Sequence, residues 1–186
     1  MVSQFISPDK VGLLGDIDFT FPEGTHAIGR LDNHSEGLLL LTTNKRVTKL
    51  LFESKVPHKR TYLVQVKNLV VPETVELLRT GVSIRVKGGE YWTTTACEVE
   101  HVEKPAGLYE GAFPYSEDWA HSWLMITLTE GKFHQVRKMV LAAGHRCLRL
   151  IRVSIEDMEL GNLLPGKVLE LEEVEFFRRL KIANWE

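Results

Sequence analysis

The alternation of apolar and polar residues divides the chain into short, mixed elements. Four consecutive leucines, Leu38–Leu41, form a run too short for a globular helix and follow a polar stretch between Gly29 and Gly37. That run is predicted to be a buried strand, and the polar stretch a loop at its edge. Asn44 can cap a helix to about Ser54, because Val47, Leu50 and Leu51 have the spacing of one buried stripe. After Pro57, KRTYLVQV alternates, with Tyr62, Val64 and Val66 on one face and Thr61, Leu63 and Gln65 on the other. Pro72 opens a second helix that Gly81 ends, and 82–102 reads as a hairpin turning at Gly88 and Gly89.

The stretch 104–121 is acidic, rich in Gly, Pro and aromatic residues, and without periodicity, so it is expected to be a surface loop or insertion. SWLMITLTE returns to strand. A helix follows over 134–143, with Val136, Met139, Val140 and Ala143 on one face and Gly144 as its stop. CLRLIRVSI is again a strand, and LGNLLPGKVLELEEV leads to a last short element. Strands and helices mix without a βαβ rhythm. This predicts an α+β fold with a mixed, largely antiparallel sheet and flanking helices.

Composition narrows the class. The chain has 186 residues, of which 44% are hydrophobic and 26% charged, as in a globular protein of one domain or one domain in two halves. No apolar run approaches a membrane span, and the N-terminus lacks a secretory pattern. Cys97 and Cys147 lie far apart, and the seven histidines include no H-E-x-x-H spacing. The expectation is a metal-free cytoplasmic protein. A net charge of −2 argues at first against a nucleic-acid partner. Distribution matters more. From His26 to Lys67 eight Lys/Arg face three acids, and from Gly131 to Arg152 there are six basic residues and no acid. One basic working face would suit RNA, and separate solvated surfaces would give the same counts.

Two strings carry candidate chemistry. In GRLDNHSEGLLLLTTN, residues 29–44, Asp32 sits on a predicted loop, where reactive side chains tend to be held. Taken alone, Asp-Asn-His-Ser is also ordinary turn material. In EGKFHQVRKM, residues 130–139, Arg137 and Lys138 could equally be the solvated side of an amphipathic helix. Taken together, the strings resemble the signatures of the ribosomal RNA pseudouridine synthases of the small-subunit-uridine branch. Within that branch, the chain looks like the large-subunit synthases that lack an additional N-terminal RNA-binding domain.

This resemblance implies a mixed antiparallel sheet with flanking helices, in two halves around a central cleft. The catalytic position is then Asp32, and Arg137 is the cation paired with it. Tyr62, in KRTY, matches an aromatic that stacks on the target base, and Leu150, in RLIRV, an aliphatic that closes the uracil pocket. Core roles are the plain alternatives for both. Arg30, Lys59, Arg60, Lys132, Lys138, Arg149 and Arg152 are the candidate RNA-binding cations. Ser35 and Glu36 are read as structural, and Gly29 and Gly37 as allowing unusual backbone or close packing.

Relatives usually open with a strand carrying Lys-Pro ahead of a V-S-Q sequence. Here MVSQFISPDK begins at that sequence, which leaves open a shortened chain or a displaced start. Asp32 comes so early that a single catalytic domain over 1–186 is expected, without a separate N-terminal RNA-binding domain. The implied activity is cofactor-free isomerisation of a uridine in ribosomal RNA, most naturally the large-subunit RNA, by a monomer. Three other readings compete: a small-subunit synthase, a non-catalytic RNA-binding or ribosome-assembly module, and a glycosidase using Asp32 with Glu36.

Overall fold

A computed structural model describes residues 3–52, 56–111, 119–183 and 185. In chain order the elements are β1 (His26–Ile28), β2 (Glu36–Gly37), β3 (Leu40–Thr42), α1 (Val47–Phe52), β4 (Arg60–Lys67), α2 (Pro72–Thr80) and β5 (Ser83–Arg85). Then follow β6 (Tyr91–Thr93), β7 (Glu98–Val102), β8 (His121–Leu128), α3 (Gln135–Ala142), β9 (Cys147–Ile155), β10 (Met158–Glu159) and α4 (Glu173–Arg179). The chain divides into two compact units, 1–58 with 153–186 and 59–152. Strands and short helices mix as predicted, and β4–β8, β7–β8, β5–β6, β1–β3 and β9–β10 all pair antiparallel.

The second unit holds the longer strands, in the order β9–β4–β8–β7. β4 has a strand on each side, and Leu63, Val64, Gln65 and Val66 are all buried, so both of its faces are covered there. The alternation predicted from KRTYLVQV therefore separates the two sheet faces, and neither face of β4 is left to solvent there. Val64 and Val66 join Leu124 and Ile126 of β8, Val75 and Leu78 of α2, and Val136, Met139 and Val140 of α3 in one core. Both helices behave as predicted. Pro72 stands in the first turn of α2, and Gly81 takes φ 106° where a Cβ would meet the Thr94 carbonyl. Gly144, at φ 86°, follows α3.

The expected 82–102 hairpin is shorter than the sequence suggests. Only β5 and β6 pair with each other, from Ser83↔Thr93 to Arg85↔Tyr91. The chain then breaks, and β7 pairs with β8 instead. Burial explains the exchange: Val99 of β7 enters the core, whereas all three residues of β6 remain exposed.

The first unit has a smaller core around Ile28, Leu38, Leu40, Val47, Leu51, Ile155 and Phe177. The leucine run is not one strand. β3 begins only at Leu40; Leu38 and Leu40 are buried, while Leu39 and Leu41 are half-buried. The expected fully buried strand is thus a three-residue strand with one face inward. Asn44 caps α1 as predicted, its Oδ1 accepting from the Arg46 amide at 3.0 Å. The predicted end of that helix near Ser54, and 112–118 of the expected surface loop, lie outside the described residues.

Candidate active site

Asp32 sits on the loop between β1 and β2, half-buried. The loop is held by individual hydrogen bonds. Gly29 enters it at φ 70° and Gly37 leaves it at φ 98°, backbone that other residues adopt only under strain. Within it, the Ser35 amide donates to the Asp32 carbonyl at 2.8 Å, closing a tight turn with Asp32 as its first residue. Just before the carboxylate, Leu31 is bound twice by one hydroxyl: its amide donates to Ser3 Oγ at 3.1 Å, and Ser3 Oγ donates to its carbonyl at 3.3 Å. The sequence pattern marks Ser3 only as part of V-S-Q and gives no sign of this contact, which joins residues 28 positions apart. Arg30 is exposed in the same loop.

In the second unit, Arg137 stands in the first turn of α3, half-buried, with Nη1 3.6 Å from the Cys147 sulfur of β9. Burial pushes the Cys147 thiol up to about 11, and the nearby Arg137 guanidinium opposes part of that rise. Cys147 and Tyr62 pack against the core that contains Leu150. Arg137, Tyr62 and Leu150 are therefore gathered around β4, β9 and α3. Tyr62 is half-buried and pairs with Ile126 across to β8; Leu150 is fully inside. Asp32 and Arg30 belong to the first unit.

The turn that starts α3 is ordered by two side chains. Gln135, which is buried, accepts from the Lys132 amide at 2.7 Å and donates to Glu130 at 2.7 Å. His134 adopts the left-handed conformation, φ 55° and ψ 32°.

The candidate RNA-binding cations separate by exposure. Lys59 and Lys132 are exposed; Lys59 is paired with Glu98 at 2.6 Å, an open contact of small energetic weight. Arg60 is half-buried, with its guanidinium against Gly131, so the ends of the two basic stretches do meet within this unit. Lys138 is half-buried beside the Phe133 ring. Arg149 and Arg152 are only 9% and 4% exposed. Arg149 lies beneath Gly111 and 4.8 Å from the Tyr109 ring centroid, a contact invisible in CLRLIRVSI. Among the described residues no group of His, Cys, Asp and Glu gathers as a metal cluster.

Comparison with known proteins follows the same lines. The model of the RNA pseudouridylate synthase family matches residues 17–142, a span that contains Asp32, Tyr62 and Arg137 and stops short of Leu150. The chain is 35% identical over 173 residues to the ribosomal large subunit pseudouridine synthase E of Vibrio parahaemolyticus, covering 92% of this chain and 69% of that protein. To the enzyme of the same name from Xanthomonas axonopodis pv. citri it is 34% identical over 167 residues, covering 89% and 85%. A crystal structure of a pseudouridylate synthase superimposes with a TM-score of 0.73 at 26% identity, over 96% of this chain and 68% of that one. Sequence and fold agree along nearly the whole chain, which therefore belongs to the RNA pseudouridylate synthase family.

Proposed function

We propose that this protein isomerises a specific uridine of large-subunit ribosomal RNA to pseudouridine, with Asp32 as the catalytic residue. The carrying observation is the 35% identity along 92% of the chain to a synthase named for the large ribosomal subunit. Formally, the bond from ribose C1′ to uracil N1 breaks and one from C1′ to C5 forms. The proton on C5 is lost and N1 gains one. The change is an isomerisation, with no net oxidation or reduction. What it requires is an anionic group beside the sugar and base, and a carboxylate serves as nucleophile or as base.

A carboxylate in a site that excludes water is costly without a cation, and Arg137 is assigned that role. Tyr62 stacks on the uracil, and Leu150 lines its pocket. The uridine must leave any stack it occupies to reach Asp32, which favours a loop or single-stranded target. Arg30, Lys59, Arg60, Lys132, Lys138, Arg149 and Arg152 supply phosphate contacts. The protein is assigned to the cytoplasm and acts as a monomer; no helix among the described residues is long and apolar enough to cross a membrane.

The test is pseudouridine mapping on large-subunit transcripts treated with wild type, Asp32→Asn and Arg137→Ala. Wild type should form pseudouridine at one position. Asp32→Asn should bind the transcript but form none, and Arg137→Ala should be strongly impaired. Equal yields from wild type and Asp32→Asn would sink the assignment.

A further inference from the structure

On β6 and just before α3, the second unit presents aromatic rings to solvent beside lysines. Phe133 is 69% exposed, and Trp92, on β6, is 39% exposed. Isolated apolar residues on a surface are ordinary. Trp92 is held in place. Glu130 accepts from Trp92 Nε1 at 3.1 Å, from the Thr95 amide at 3.0 Å and from Gln135 Nε2 at 2.7 Å, tying β6 to the turn before α3. Lys132 Nζ lies 3.9 Å from the Trp92 ring centroid, and Lys138 Nζ 5.4 Å from that of Phe133. Phe133 also stacks on His134, with centroids 3.8 Å apart and planes at 19°. The left-handed backbone of His134 is a strained conformation for a non-glycine residue, and such strain clusters where ligands bind.

Exposed rings beside ammonium groups suit one occupant chemistry. Unpaired nucleotides offer flat faces to stack and phosphates to neutralise. A duplex hides its faces, and an apolar protein partner gains nothing from the two lysines. Phe133 lies two residues before α3, the helix that carries Arg137. We propose that Phe133 and Trp92, flanked by Lys132 and Lys138, form a platform for unpaired nucleotides of the RNA substrate. The platform rests on the RNA-modifying reading above and extends it to nucleotides other than the target uridine.

Fluorescence anisotropy with a short labelled single-stranded RNA, and with the same strand in a duplex, tests this at fixed salt. Phe133→Ala and Trp92→Ala should each weaken single-strand binding by roughly 5- to 150-fold, the span reported for loss of one base stack. Duplex binding should change little, and Phe133→Tyr and Trp92→Phe should keep most of the affinity. If Trp92→Ala loses its thermal transition, Phe133→Ala decides alone. Wild-type affinity in Phe133→Ala overturns the platform, as does an equal loss on single strand and duplex. A dimer dispersed by Phe133→Ala without any change in RNA binding overturns it too. Because the readout is binding, a wild type that forms no pseudouridine counts against the catalytic reading and not against the platform.

Discussion

The two units position side chains in different ways. In the second, eight-residue strands β4 and β8 pair along their full length, and α2 and α3 seal one core. Arg137 is placed by helix period and by the packing of Val136, Met139 and Val140 of the same helix into the core. In the first, β1 and β3 pair over only three residues, and Asp32 lies on irregular chain. Positive-φ glycines, the Ser35–Asp32 turn hydrogen bond and the paired contacts of Ser3 help to set its position. Bulk packing spreads the effect of a substitution over many neighbours. A loop set by specific hydrogen bonds and backbone conformations concentrates it.

That contrast can be broken most directly at Asp32. Asp32→Asn should lower pseudouridine formation by at least about a thousandfold, the scale of losing a nucleophile or base. Its melting temperature should stay within about 2 °C of wild type, as for a substitution outside the core. A large thermal shift would mean that the carboxylate holds the first unit together.

The next largest effect belongs to the second core. Leu124→Ala, at a position 1% exposed, should cost about 2–5 kcal/mol of stability in chemical denaturation while the folded fraction keeps its turnover. A loss below about 1 kcal/mol would show that this core collapses around the gap.

Ser3→Ala sharpens the comparison from the other side. Losing the two bonds to Leu31 should cost roughly 1–2 kcal/mol locally. The expected readout is a fall in turnover of about tenfold with RNA affinity preserved, and recovery in Ser3→Thr. Equal turnover in Ser3→Ala would remove this residue from positioning.

The smallest effect is a difference in labelling. Burial holds both Cys97 and Cys147 up to about 11, with Glu130 and Glu98 adding to the rise at Cys97. The raised value means the thiol form persists at pH 8, so iodoacetamide should label the native protein slowly and the denatured protein fast. Labelling should rise only as pH approaches 11. Rapid native labelling at pH 8, read by intact mass, would mean that the second unit opens readily.

Much of this protein was legible as local pattern. Pro72 and Gly81 bound α2, Asn44 caps α1, and Val136, Met139 and Val140 face inward, because capping and helix period act over a few residues. The strings around Asp32 and Arg137 carried the family for the same reason, each being a contiguous signature. What failed was decided at long range. Leu39 and Leu41 are half-buried because β3 has one covered face, and β7 leaves the 82–102 hairpin because β8 offers it a partner. The bonds of Ser3 to Leu31 and of Glu130 to Trp92 join residues 28 and 38 positions apart. Periodicity reports which face of an element is apolar, and only the assembled chain determines what stands opposite that face.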